Sequence, residues 1–301
     1  MEFFFQQLTN GLAIGGIYAL IALGYTMVYG VLKLINFAHG DLFTLGAYIG
    51  FTLLTSFSLV GKIGPLPTLF LFGLIIMGLV GIAGIILERV AYRPLRSADR
   101  LAAVVSALGA SIVISNSIML IYGARFQVYP HHLIPQITLN ILGMKIPLLR
   151  IVMLLLSIIL MIILYLFIQK TKIGTAIRAT AIDHGAARLM GIDVNKIISY
   201  VFFIGPALGG AAGLMVGLYY GQLNFMMGWV YGLKAFIAAV IGGIGNIPGA
   251  MVGGILLGVI EALGAAYIST AWKDAIAFFV LIIILIVRPT GILGERVADK
   301  I

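Results

Sequence analysis

An all-α polytopic membrane protein, with roughly eight or nine transmembrane or partly re-entrant helices in a single domain over 1–301, is the fold class this sequence predicts. Three observations predict it. Hydrophobic residues make up 62% of the 301 positions and charged residues only 10%, with a mean hydropathy of +1.16. A water-facing surface cannot be covered by so few charges, since soluble domains carry ~25%. Apolar runs recur at about the ~20-residue length that crosses a bilayer. Finally, Lys and Arg gather in the short connections between these runs, the pattern of cytoplasmic loops.

Taken in order, apolar runs cover 11–33, 40–60, 66–88, 101–122, 148–168, 197–220, 230–247, 249–268 and 272–288. The second and seventh are interrupted by glycine and polar residues, which suits either a full crossing or a broken, re-entrant helix. The 89–100 connection holds Arg89, Arg93, Arg96 and Arg100. The 169–196 connection holds Lys170, Lys172, Arg178, Arg188 and Lys196, and the C-terminal tail Arg288, Arg296 and Lys300. All three are expected in the cytoplasm. Nine spans then put the N-terminus outside, together with the 123–147 loop and its Pro130, Pro135 and Pro147. Residues 1–10 lack the basic stretch and small-residue cleavage site of a signal peptide.

Glycine is the second pattern. Gly205, Gly209, Gly213, Gly217 and Gly221 form a bare stripe on the sixth run, and Gly249/Gly253, Gly254/Gly258 and Gly46/Gly50 repeat the spacing. Such stripes let backbones approach closely in lipid, inside one bundle, at a subunit contact or along a pore. Gly11-Leu-Ala-Ile-Gly15-Gly16-x-x-x-Leu20 also matches Gly205-Pro-Ala-Leu-Gly209-Gly210-x-x-x-Leu214. Asn-Phe-x-x-Gly follows each, as Asn36-Phe37-x-x-Gly40 and Asn224-Phe225-x-x-Gly228. Because the two segments would run in opposite directions, an inverted repeat of the transporter kind is expected.

Several function classes are excluded. The chain has no phosphate-binding Gly-x4-Gly-Lys-[Ser/Thr] loop, no dinucleotide fingerprint after a strand and no His-Glu-x-x-His. It is therefore not expected to be an enzyme or to bind a cofactor, and any ATP and Mg must be used by partner subunits. The net charge of +9 lies in loops rather than on a basic helix face, which argues against nucleic acid. Zero cysteines exclude disulfides and thiol chemistry. His131-His132, without nearby carboxylates, reads as a solvated turn rather than a metal site.

The connection Gly174-Thr-Ala-Ile-Arg178-Ala-Thr-Ala-Ile-Asp183-His-Gly-Ala-Ala187-Arg-Leu-Met-Gly191-Ile-Asp193 predicts a short helix outside the bilayer, with Asp183 as N-cap and Gly191 just past its end. Its apolar Ala186, Ala187, Leu189 and Met190 beside Arg188 suit either a partner's cleft or the membrane surface.

This run resembles the cytoplasmic Glu-Ala-Ala-x3-Gly loop of ATP-binding-cassette (ABC) importer permeases. Ala186, Ala187 and Gly191 match, and Gly185 stands where that pattern has glutamate. One polar contact of the pattern is thereby lost, leaving Arg178, Asp183 or Arg188 to anchor docking. Ile35-Asn-Phe-Ala-His39-Gly-Asp41 with Gly46-Ala-Tyr48, and Glu88-Arg-Val-Ala-Tyr92-Arg-Pro94-Leu-Arg96, resemble the smaller permease of the paired branched-chain amino-acid permeases. So do Gly232-Leu-Lys234-Ala-Phe236, Gly242-Gly243-Ile-Gly245-Asn246-Ile-Pro248-Gly249-Ala and Arg288-Pro289-Thr-Gly291-Ile-Leu-Gly294. The resemblance implies a helical channel half in the inner membrane, a second homologous permease subunit, two ATP-binding-cassette ATPase subunits and an extracytoplasmic solute-binding protein. Urea and short-amide permeases share the architecture and stand as an alternative. A stand-alone secondary transporter is the more distant one, since it would need more intramembrane carboxylates.

Polar residues within apolar runs are the candidates for the translocation pathway: Asn36, His39, Asp41, Lys234, Asn246 and Glu261. Charge at membrane depth is costly and turns toward a bundle interior or a water-filled cavity. Lys234 and Glu261 suit an ion pair, which would make them structural.

Overall fold

The computed structural model describes residues 2–57, 64–96, 98–130, 137–141 and 144–294, so His131, His132, Arg296 and Lys300 lie outside the described residues. Eleven α-helices are described. They are α1 (Glu2–Leu32), α2 (His39–Ser56), α3 (Pro65–Leu87), α4 (Arg100–Tyr122), α5 (Leu148–Lys170) and α6 (Lys172–Ile182), then α7 (His184–Leu189), α8 (Val194–Tyr220), α9 (Met227–Gly242), α10 (Ile247–Tyr267) and α11 (Lys273–Val287). Seven segments are long and apolar enough to cross a membrane: α1, α3 with its short extension to Leu95, α4, α5, α8, α10, and α11 with the turn before it. The protein is a multi-pass membrane protein. With α2 and α9, the two interrupted runs, the bundle has nine membrane helices among the described residues. The 123–147 loop carries short strands instead of being irregular. β1 (Gln127–Val128) pairs antiparallel with β4 (Gln222–Leu223), and β2 (Thr138–Ile141) with β3 (Met144–Pro147).

Contacts sort the helix ends into two sets. At one end, the His184 ring donates through Nε2 to the Val31 carbonyl at 2.8 Å, and Arg96 donates to Asn195 at 2.6 Å. There the Ile292 N–H also reaches the Ile241 carbonyl at 2.8 Å. At the other end β1 pairs with β4, Arg150 bonds Asn10, and the rings of Phe3 and Tyr267 meet edge to face. The seven long helices run from one set to the other, and the 89–100 and 169–196 connections and residues 288–294 belong to the first.

The inverted repeat is visible in local geometry. The Asn36 side chain accepts from the Ala38 N–H at 3.1 Å, and the Asn224 side chain from the Met226 N–H at 2.8 Å. In both turns the next residue closes onto the asparagine carbonyl, His39 at 3.1 Å and Met227 at 3.0 Å. Side-chain turns of this type mimic a backbone turn and hand the chain to a new helix. Packing repeats too: α3 lies on α8 as α10 lies on α1, α2 on α8 as α9 on α1, and α4 on α2 as α11 on α9. The matched glycines Gly40 and Gly228 meet each other backbone to backbone, where a pseudo-two-fold axis would pass.

Both α2 and α9 begin inside the bundle. The His39 ring, at the start of α2, packs against Gly24 and Gly209 within α1 and α8. At ~1.5 Å per residue, α9 with its 16 residues is about 24 Å long, short of the ~30 Å hydrocarbon layer. The glycine stripe faces inward rather than lining a pore. Gly205 lies against Gly24, Gly210 against Gly46 and Val80, Gly213 against the Phe43 carbonyl, and Gly217 against Tyr129 and Leu223. Gly221 ends α8 in the left-handed conformation at φ 69°, which only glycine adopts without cost. Gly73 and Gly78 on α3, by contrast, have open space where a Cβ would stand.

A side chain at Gly210 would therefore force α2, α3 and α8 apart. We expect Gly210→Val to destabilise the detergent-purified protein by about 1–3 kcal/mol or more, and Gly78→Val to leave it nearly unchanged. Thermal unfolding read by size-exclusion chromatography or scanning fluorimetry distinguishes the two.

Candidate coupling loop and intramembrane polar sites

The connection between α5 and α8 is a rigid, capped element. Thr171 caps α6 by accepting from the Gly174 N–H at 3.0 Å. Arg178 turns back on the end of α5, donating to the Ile168 carbonyl at 2.9 Å and to the Gln169 side chain at 2.5 Å, where a cation also opposes the helix dipole. Asp183 is the N-cap of α7, accepting from the Gly185 and Ala186 N–H groups at 2.7 and 3.0 Å. Gly191 ends the helix at φ 80°. Its N–H bonds the Arg188 carbonyl at 3.0 Å and the Ile192 N–H the Ala187 carbonyl at 3.0 Å, the double closure of a Schellman motif. Asp193 then caps α8, and the Lys196 and Asn195 N–H groups hold its carboxyl below the usual aspartate range.

These bonds redistribute the roles expected from the sequence. Arg178 and Asp183 are occupied in holding the loop, so Arg188, which is exposed, is the polar residue left facing outward. Ala187 is a correction: at 3% exposure it is packed into the protein's own core and does not reach the surface. The outward apolar residues are Ile182, Leu189 and Met190, at 87%, 89% and 81% exposure, beside the exposed Ala186. Ile182 lies outside the short α7 pattern, which is why sequence spacing missed it.

Of the pathway candidates, Asn36 accepts from the Tyr92 hydroxyl at 2.9 Å besides closing its turn. Asn246 caps α10 through the Gly249 N–H at 2.9 Å and clamps the Leu293 carbonyl at 2.9 Å. His39 is fully buried, bonding the Ile21 carbonyl at 3.1 Å under the edge of Tyr25. All three hold backbone together. Asp41 stands apart: it is buried, and Ser111 of α4 donates to it at 2.5 Å.

Lys234 and Glu261 pair at 2.7 Å, within a larger network in which Lys234 also reaches Asp274 at 2.8 Å and Lys273 reaches Glu261 at 2.9 Å. Two cations and two anions thus alternate across α9, α10 and α11. The third buried acid is Glu88, whose role sequence position alone does not show. Glu88 has no solvent exposure and is held by Arg93 at 3.2 Å, by Arg96 and by Ser199 at 3.0 Å. A π-helical turn over Glu88–Tyr92, followed by a 3-10 turn over Arg93–Leu95, swings both arginines onto the carboxylate. Burial lowers the Arg96 pKa while Glu88 opposes that fall. This cluster ties the end of α3 to the start of α8, next to the coupling loop.

Comparison with known proteins joins these features to one family. Residues 7–285 match the family described as branched-chain amino acid transport system / permease component. The chain belongs to that family. It is 42% identical over 304 residues to the high-affinity branched-chain amino acid transport system permease protein BraD of Pseudomonas aeruginosa, covering 99% of this chain and 98% of that one. It is 41% identical over 308 residues to LivH of Escherichia coli K12, a high-affinity permease protein of the same description, with the same two coverages. The probable branched-chain amino acid transport permease LivH of Methanocaldococcus jannaschii is 31% identical over 64% of this chain and 60% of its own length.

The ionic network yields a graded prediction. Removing one partner of a buried pair leaves an uncompensated charge, at about 3–5 kcal/mol. Glu261→Gln takes a partner from both lysines, leaving Lys234 only the exposed Asp274, and should lower stability most, whereas Lys234→Met leaves Lys273 on Glu261 and should cost less. The double variant should be more stable than the sum of the single losses. Thermal unfolding of the four proteins checks both statements, and strict additivity would contradict the pairing.

Proposed function

We propose that this chain is the membrane-spanning permease subunit of an ABC importer that carries branched-chain amino acids across the cytoplasmic membrane. The observation that carries the reading is α7: a helix capped at both ends, fixed to α1 through His184, whose Leu189 stands in solvent with the flanking Ile182 and Met190. An element that merely joins two spans has no use for such a surface, and an ATPase cleft does. The relatives are described as branched-chain amino acid transport permeases, which favours this substrate class over urea or short amides. Two ATPase subunits then supply ATP hydrolysis with Mg, a second homologous permease completes the channel, and a solute-binding protein delivers substrate outside. The basic helix-end set, with α7 and residues 288–294, faces the cytoplasm by the distribution of Lys and Arg. This puts the C-terminus inside and the N-terminus outside.

Two experiments check the proposal. Cells lacking the gene should lose ATP-dependent uptake of labelled leucine, isoleucine and valine but not of urea. Loss of urea uptake alone, or uptake that follows the ion gradient, would overturn the substrate or the energy source. Leu189→Asp should release the ATPase subunits on purification while the permease stays folded in the membrane. Ala187→Asp should instead damage the fold, because its site is internal.

A further inference from the structure

The three buried acids of the membrane region are treated differently. Glu88 contacts two arginines and Glu261 two lysines. Asp41 is 94% buried, with 6% exposure, yet no cation pairs with it among the described residues. Its one hydrogen bond comes from the neutral Ser111 hydroxyl. The start of α2 places the positive end of the helix dipole at this position. A buried, unpaired carboxylate is costly at membrane depth and marks a place where a cation arrives.

A cavity borders Asp41. Tyr25, Phe37, Trp229 and Phe236 line it together with Asp41, Ile35 and Leu233. Gly228 and Gly232 form part of the wall where α9 crosses α2. Aromatic faces attract an ammonium group through their quadrupole, most strongly where water is thin. Trp229, at 64% exposure, stands at the mouth, and Leu233 is also partly exposed. The cavity thus opens on the outer face of α9 rather than being sealed in the core. It lies beside the contact of Gly40 with Gly228, where the two repeats meet.

We propose that this cavity is a station for the substrate's α-ammonium group during translocation, with Asp41 as its counter-ion, the aromatic ring set as its cage, and Ile35 and Leu233 against the branched side chain. The proposal rests on the amino-acid import reading above and assigns one end of the substrate to named residues. The substrate carboxylate has no cation beside Asp41 to receive it, so the station discriminates by the amine.

The test uses the complete transporter, reconstituted with its ATPase subunits in liposomes and supplied with leucine-loaded binding protein. Labelled leucine uptake and stimulated ATP hydrolysis are measured for wild type, Asp41→Asn and Asp41→Glu. Loss of a charge-assisted contact predicts a fall in leucine uptake of about tenfold or more for Asp41→Asn, with ATP hydrolysis retained. Asp41→Glu, which keeps the charge, should recover a substantial part of the uptake. Uptake by Asp41→Asn equal to wild type would overturn the proposal, as would equal losses in the Asn and Glu variants. If Asp41→Asn fails to assemble, the exposed Trp229→Leu decides: reduced uptake with intact ATP hydrolysis supports the station, and unchanged uptake overturns it. A wild-type transporter that carries no leucine at all would instead refute the substrate reading, a separate outcome.

Discussion

Lipid tails are as apolar as leucine, so the hydrophobic effect gives these helices no reason to associate, and close contact must do most of the holding. That constraint explains why the interior of the bundle is built from glycine. At Gly24 with Gly205, Gly46 with Gly210, Gly40 with Gly228 and Gly254 with Ala19, one backbone rests on another. Each crossing joins helices from the two halves of the chain, and the pattern α3 on α8, α10 on α1 follows from them. The large buried side chains fill what remains around this frame, among them Tyr18, Phe43, Tyr48 and Phe202.

Within such a frame, charge must be handled locally. Glu88 is neutralised by Arg93 and Arg96 from the turn that follows it, Glu261 by Lys234 and Lys273 from neighbouring helices, and each cluster ties helices together near one end of the bundle. The Glu88 cluster joins α3 to α8 directly beside the coupling loop. Under the proposed docking, a push on α7 would reach a braced pair of helices rather than a loose loop. The two asparagine turns lie towards opposite ends, Asn36 bonded to Tyr92 beside the Glu88 cluster and Asn224 just after β4. Each starts its helix within the bundle, so that the first turns of α2 and α9 meet at Gly40 and Gly228 near Asp41.

Much of this was legible in the sequence, for identifiable reasons. Span positions follow from apolar length, and the two interrupted runs are the two helices that begin inside the bundle. The repeat was readable because its turn chemistry needs asparagine at Asn36 and Asn224. Asp183 and Gly191 announced their caps by residue type alone. Other features required three dimensions. Whether Ala187 or Leu189 points outward depends on how α7 docks on α1, which no short periodic pattern encodes. Asn246 and Arg178 resemble functional polar residues in sequence, yet their partners are backbone carbonyls far along the chain or one turn back. The role of Glu88 depends on a π-helical turn that spacing does not reveal. The isolation of Asp41 is visible only once every other buried acid is seen to be paired.

The absence of native cysteine makes the sidedness of this arrangement directly measurable. A single cysteine placed at Met190, in whole cells expressing the complete transporter, should resist a membrane-impermeant maleimide and cross-link to an ATPase subunit once the membranes are opened. A cysteine at Arg125, beyond α4, should label from outside in the same cells. Labelling of position 190 from outside, or position 125 only after opening, would contradict the account at its base, because α7 could then not be where an ATPase drives the bundle.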